Sequence, residues 1–231
     1  MLPLKVPFLQ KSQIEQTTAE LLRKYSEWKR QPARPPIDVD EIVEGYLNLS
    51  LELDDLKSIL NMDDVLGASW FDKKLVCIDS SLEGNDGRFA FTVAHEIAHW
   101  YLHYPMWEME KVTLPLFPRK PGENAQPGIV CRSGNRKADA EFQADFFAAR
   151  LLMPAVDVRA AAKKAFDGGV PALDGLNESR QRNLLMHALR SCADKVKETG
   201  SFSNVSNEAM CYRLLDLKLV EDAKEAASRL F

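Results

Sequence analysis

Histidine, cysteine and long apolar runs are all scarce in this chain, and each scarcity narrows what the protein can be. Of 231 residues, four are histidine and four are cysteine. Cys77, Cys131, Cys192 and Cys211 are scattered and form no C-x-x-C pair. That argues against a disulfide framework and for reduced thiols in the cytosol. No apolar run approaches the length needed to span a bilayer, so no membrane role is expected. The first ten residues are interrupted by Pro3, Lys5 and Pro7 and do not read as a signal peptide. Positive charge is not in surplus either. Lys+Arg is 30 against Asp+Glu 34, a net charge of -4, which weighs against the whole chain being a nucleic-acid binder while leaving room for a local basic patch. What remains is a chain that is 45% hydrophobic, as in folded globular proteins, and long enough for one core or a core with an appendage.

Two of the four histidines fall in His95-Glu96-Ile97-Ala98-His99, an H-E-x-x-H inside a credible helix. One helical turn separates the two imidazoles, so both project from one face and can hold a single Zn2+. Glu96 is rotated off that face, beside the metal rather than on it, where it can take a proton from an activated water. Two surface histidines on an amphipathic helix would be the plainer reading. The surrounding Phe89, Phe91, Val93, Ala94, Ile97, Ala98, Trp100 and Tyr101 speak for a buried helix instead, in which such groups need partners.

Around this motif the pattern is α+β and mostly helical. Helical periodicity covers 11–29, and a second short helix is expected at 38–46. Strands are expected at Leu49–Leu53, Val65–Phe71 and Leu75–Asp79, a small three-stranded sheet whose last two members flank an Asp72-Lys73-Lys74 turn. The motif helix should run from about Arg88 to His103 and stop at Pro105. The stretch from Tyr104 to Arg136 holds five prolines (105, 115, 118, 121, 127) and three glycines (122, 128, 134). It reads as a long structureless connection, the kind of loop that often borders a functional cleft. Helices are then expected at 136–153, 156–166, 178–199 and 207–217, the last capped by Ser206. This organisation divides the chain into a core, 1–154, carrying the 104–136 insertion, and a helical C-terminal region, 155–231.

A catalytic zinc usually takes three protein ligands and keeps one position for water. His103 lies too far along the same helix to close a tetrahedral site with His95 and reads as a helix-end or supporting histidine. Leu102 and Pro105 exclude the extended metzincin pattern. The better third ligand is Glu141 of Glu141-Phe142-Gln143-Ala144-Asp145, an E-x-x-x-D with both acids on one helical face. Asp145 could then accept the outer N–H of a ligand histidine. Asp139 and Glu123 are the reserve ligands.

The run Arg88-Phe89-Ala90-Phe91-Thr92-Val93-Ala94-His95-Glu96-Ile97-Ala98-His99-Trp100-Tyr101-Leu102-His103 resembles the R-F-T-x-A-H-E-x-G-H-x-x-L-H segment of the ImmA/IrrE metallopeptidases. Glu141 through Pro154 is similar to that family's E-x-x-A-[ND]-x-F-A-x-x-L-L-M-P. Looser similarity runs from Pro36 through Asp79 and from Val205-Ser206 to Arg213-Leu214. The resemblance implies a minimal gluzincin-like zincin fold, with a small sheet packed on the active-site helix and a helical C-terminal part. It implies His95, His99 and Glu141 as zinc ligands, one zinc per chain, and Glu96 as catalytic base. It also implies ties to stress response and transcription regulation. Two departures stand out: Ala98 where the family has Gly, and an unusually long connection from His99 to Glu141.

The expected chemistry is metal-assisted amide hydrolysis, with Glu96 passing the water proton to the leaving amine. Tyr104, His187, Tyr212 and Arg213 are candidate oxyanion donors. Leu75–Asp79 could offer an edge for an extended peptide, though a plain core strand is as good a reading. Cys131, close to Arg132, Arg136 and Lys137, reads first as an ordinary loop cysteine and second as a thiolate able to cap the zinc. The functional expectation is a selective cytoplasmic endopeptidase acting on a protein partner. The family resemblance makes that partner a DNA-binding repressor or antitoxin-like regulator. The competing expectation is a non-catalytic zinc protein that binds DNA or a partner. Arg213, Lys218 and Lys224 are offset by Asp216, Glu221 and Asp222, so direct nucleic-acid binding is not favoured.

Overall fold

The computed structural model describes residues 6–113, 129–132, 139–174, 176 and 182–228. The fold is α+β and mostly helical, and the chain divides into two units. Unit 1 holds Met1–Ala33 and Asp38–Leu151; unit 2 holds Arg34–Ile37 and Leu152–Phe231. No helix among the described residues is long and apolar enough to cross a membrane.

Unit 1 begins with α1 (Lys11–Lys29). Its buried positions Ile14, Thr18, Leu21 and Tyr25 recur at the helical spacing of one face. A short helix, α2 (Val39–Glu41), runs into a wide turn at Ile42–Tyr46. Strand β1 (Ser50–Asp54) follows, then α3 (Leu56–Leu60), β2 (Val65–Trp70) and β3 (Leu75–Asp79). Lys74, with φ 53°, lies in the left-handed region and closes the β2–β3 hairpin.

The expected three strands are present, and a fourth, β4 (Ile129–Arg132), joins them. The sheet order is β1-β3-β2-β4. β1 runs parallel to β3, while β2 is antiparallel to both β3 and β4. β3 therefore has a partner on each side and offers no edge to a peptide, so the core-strand reading is the right one. β2 pairs Gly67 with Cys131 across the β2–β4 ladder, beside an irregularity between Val65 and Gly67. Leu56, Val65, Ala68, Trp70 and Cys77 form a buried cluster on this sheet.

The motif helix α4 (Asp86–Ala98) starts two residues earlier than expected. Asn85 Oδ1 accepts from the Arg88 backbone N–H at 3.2 Å, and Asp86 sits in the first turn, where a carboxylate complements the helix dipole. Val93, Ala94, Ile97 and Ala98 are fully buried; at roughly 1.5–3 kcal/mol for a large aliphatic side chain, Val93 and Ile97 anchor this helix firmly. The chain does not stop at Pro105. It passes through a wide turn, His99–His103, and continues as α5 (Tyr104–Thr113). Pro105 is the second residue of α5, within a first turn where a missing N–H does little harm. The connection expected to be structureless thus has a helix near its start and a strand near its end. Helix α6 (Asp139–Leu152) closes the unit.

Unit 2 contains α7 (Ala155–Ala165), β5 (Ala172–Leu173), α8 (Arg182–Gly200), α9 (Asn207–Asp216), β6 (Glu221–Asp222) and α10 (Ala223–Ser228). Helices α7, α8 and α9 pack in succession, and β5 pairs parallel to β6. Ser206 caps α9 as expected, its Oγ accepting from the Ala209 N–H at 3.1 Å.

Candidate metal centre

Helix α4 brings His95 and His99 together because they lie one turn apart on one face. Both are fully buried. Their rings meet edge to face with centroids 4.7 Å apart, and the two Nε2 atoms are 2.9 Å apart. Glu141, from the first turn of α6, reaches both: Oε2 is 3.3 Å from His95 Nε2 and Oε1 is 3.4 Å from His99 Nε2. The three expected ligands therefore converge on one point.

The outer nitrogen of each histidine is held, and the holding decides where its proton sits. His95 Nδ1 lies 3.0 Å from Asp145 Oδ1. A carboxylate only accepts, so Nδ1 donates and Nε2 is the nitrogen turned toward the cluster. For His99 the proton assignment starts at Pro7. The Pro7 carbonyl accepts from Gln143 Nε2 at 2.8 Å, which turns Gln143 Oε1 toward His103 Nε2, 3.1 Å away. His103 Nε2 must donate to that oxygen, so in the neutral ring Nδ1 accepts. The 2.9 Å contact between His103 Nδ1 and His99 Nδ1 then requires His99 Nδ1 to donate. His99 Nε2 is left with its lone pair facing His95 and Glu141. The wide turn makes this relay possible: the Tyr104 N–H bonds the His99 carbonyl five residues back. A single wide turn of this kind inside a helix frequently marks a functional site. His103 thus orients His99.

Glu96 lies on the other side of the cluster, fully buried. Its Oε2 accepts from Ser69 Oγ of β2 at 2.6 Å. Its Oε1 has no hydrogen-bond partner among the described residues. Gly67 makes room for it: a Cβ there would come within 2.9 Å of Oε1 and 2.8 Å of Thr92 Cγ2. The buried Cys131 joins from β4. His95, Cys131 and Glu141 each offer one donor atom, all within 4.8 Å of one another, as do His95, Glu96 and His99.

The electrostatics favour a cation. Burial pulls His95 down, but Cys131, Asp145 and Glu141 override it and hold the ring well above its ordinary value, so without a metal Nε2 also carries a proton, one that a bound metal would displace. Burial would raise Glu141, yet contacts with His95 and His99 keep its carboxyl below the ordinary range. Burial drives His99 down to about 3 and also lowers His103, so both rings stay neutral. Burial lifts Glu96 to about 7 and pushes the Cys131 thiol up. Two buried imidazole Nε2 atoms 2.9 Å apart beside a carboxylate, with a buried orphan oxygen next to them, fit a divalent metal.

Of the candidate oxyanion donors, only Tyr104 lies in the same unit as the histidine cluster. Tyr104 packs against Trp100 and Trp107, and its phenol donates to Glu108. His187, Tyr212 and Arg213 belong to unit 2. There His187 and Tyr212 are exposed, and Arg213 is buried with Nε on the Met153 carbonyl at 3.0 Å and Nη1 on Asp216 at 2.8 Å. Of the reserve ligands, Asp139 is exposed at the start of α6 and Glu123 lies outside the described residues. Sequence reasoning missed Ser69, Gly67, Gln143 and Pro7. Only Gln143, within the E-x-x-x-D segment, carried any local signal, and it lies between the two acids rather than on their face. No protein-family model matches this chain, and no curated protein matches it either.

Proposed function

We propose that this chain is a zinc-dependent endopeptidase of the ImmA/IrrE type, acting in the cytoplasm on a protein partner. The observation that carries this reading is the buried Glu96 carboxylate. One of its oxygens is anchored by Ser69 and the other lacks a partner, beside three donors that converge. A purely structural metal site has no use for such a group, whereas a hydrolytic site needs a base there.

His95, His99 and Glu141 would hold the metal, with Asp145 and the His103–Gln143–Pro7 relay fixing their protonation. A bound Zn2+ supplies a Lewis acid that polarises the scissile carbonyl and makes water more acidic. Glu96 takes the proton of the attacking water on Oε1 and delivers it to the leaving amine. Ser69 keeps the carboxylate from swinging away and favours its charged form against the cost of burial. The resemblance of both motif segments to ImmA/IrrE proteins supplies the substrate class, a DNA-binding repressor or antitoxin-like regulator. Four buried, unpaired cysteines suit a reducing compartment.

A second reading, a non-catalytic zinc protein that binds DNA or a regulator, draws support from Cys131, whose thiol adds a further donor to the cluster. The two readings separate in one experiment. The zinc-loaded protein is incubated with the DNA-binding regulator encoded beside it. Wild type should cut that protein into one or two fragments, and Glu96→Gln should bind it and leave it whole. If both forms bind the regulator or DNA and both leave it intact, the non-catalytic reading replaces the enzymatic one.

A further inference from the structure

Cys131 is the one chemically potent side chain at the cluster that hydrolysis does not use. Its strand β4 lies at a sheet edge among the described residues, pairing with β2 alone. Cross-strand partners in an antiparallel ladder share a face of the sheet, so Cys131 and Gly67 point to the same side. Gly67 has no side chain, and the space above it is filled by the Glu96 carboxylate, whose Oε1 approaches within 2.9 Å of where a Cβ would stand. The thiol is therefore on the same side of the sheet as that carboxylate, and its sulfur lies within 4.8 Å of donor atoms of His95 and Glu141.

We infer that Cys131 is a fourth protein ligand, which closes the metal centre by filling the position otherwise left for the reactive water. This rests on the metal-centre reading above. His95, His99, Glu141 and Cys131 make four donors of the kinds zinc prefers, and four protein ligands describe a closed site. A thiol that coordinates gives up its proton, and the exchange needs no redox partner: thiolate leaves, water enters. β4 is a four-residue strand that pairs with β2 alone among the described residues. The closed centre is the resting form; a docked protein substrate that displaces β4 removes the sulfur and opens the centre beside Glu96 for the turnover proposed above. The second observation is the orphan Glu96 Oε1, fully buried against Gly67, the residue that Cys131 pairs with. It has no partner while the sulfur holds the place of the water. Cys77, Cys192 and Cys211 are buried but belong to no such donor group among the described residues.

The test uses the full chain loaded with Co2+ alone. Wild type should show a sulfur-to-cobalt charge-transfer band in the near ultraviolet, and adding azide should leave its visible spectrum unchanged. Cys131→Ser should bind Co2+, lack the band, and shift its spectrum with azide. Identical spectra for the two proteins would overturn the role of Cys131 while leaving the metal centre standing. A thiolate band in wild type together with an azide shift would overturn closure. Failure of both proteins to take up Co2+ would remove the metal centre itself, and this inference with it. Should Cys131→Ser not fold, the wild-type band and its indifference to azide still decide the matter.

Discussion

Gln143 and Pro7 stand 136 residues apart in sequence, and their 2.8 Å hydrogen bond decides which nitrogen of His99 carries a proton. A proline carbonyl has no alternative to accepting. It orients the Gln143 amide, which orients His103, which orients His99. Pro7 is thereby tied to the histidine cluster through Gln143 and His103.

Gln143→Leu should weaken zinc binding by roughly 10–100-fold, the usual cost of losing a group that orients a ligand. Chelator competition measures it. Gln143→Glu can still accept from His103 but cannot donate to Pro7, and should fall between wild type and Gln143→Leu. A drop in melting temperature with unchanged zinc affinity in both variants would make Gln143 a packing residue only.

Asp79, buried at the end of β3, gives a pH-dependent test away from the metal. Burial would raise its pKa, but Ser81 and Lys57 outweigh it and hold the carboxyl below its ordinary value. Lys57 Nζ is 3.2 Å away, and the Ser81 N–H donates at 3.2 Å. A depressed folded-state pKa contributes stability that is complete above the unfolded-state value near 4 and is lost as pH falls through the folded value. Asp79→Asn should therefore cost about 1–3 kcal/mol at neutral pH and progressively less below pH 4. Urea unfolding at pH 7 and pH 3 checks this; an equal loss at both values would contradict it.

Strong periodicity was readable in the sequence, while features made by a distant partner were not. α1 and β3 have the expected ends because their apolar positions repeat over the whole element. The H-E-x-x-H and E-x-x-x-D segments marked His95, His99, Glu141 and Asp145 because helical spacing alone brings each pair onto one face. α3 escaped because five residues carry too little pattern, although Asp55 caps it through the Ser58 N–H. β4 escaped because its strand character comes from pairing with β2, not from its own Pro- and Gly-rich surroundings. Ser69 and Gly67 could not be assigned to the site without the register of β2 against α4, since a one-residue shift reverses which side chains face the helix. Pro105 was misread as a stop because no local signal announces the wide turn before it.

The metal centre itself predicts a stoichiometry. Purified protein should hold about one zinc per chain. His95→Ala, His99→Ala and Glu141→Ala should each lose it, while Glu96→Gln should keep it. Asp145→Asn should keep the fold and lose roughly 10–100-fold in affinity. Metal analysis after dialysis separates these outcomes. Full occupancy in Glu141→Ala would move the third ligand elsewhere.

Gly67→Ala isolates the base from the metal. The new methyl would meet Glu96 Oε1 at 2.9 Å and Thr92 Cγ2 at 2.8 Å, closer than such atoms can approach, so the carboxylate must move. The atoms nearest that methyl belong to Glu96 and Thr92 rather than to His95, His99 or Glu141, so zinc content should stay near one per chain. Turnover of the protein substrate should fall by roughly 100-fold, the penalty for misplacing a reacting group by about an ångström. The loss should appear in kcat rather than in substrate binding, because the displaced group acts on the water. Ser69→Ala, which removes the hydrogen bond from Ser69 Oγ to Glu96, should lower kcat in the same direction without the steric push. Normal turnover in Gly67→Ala with zinc retained would mean that Glu96 is not the base.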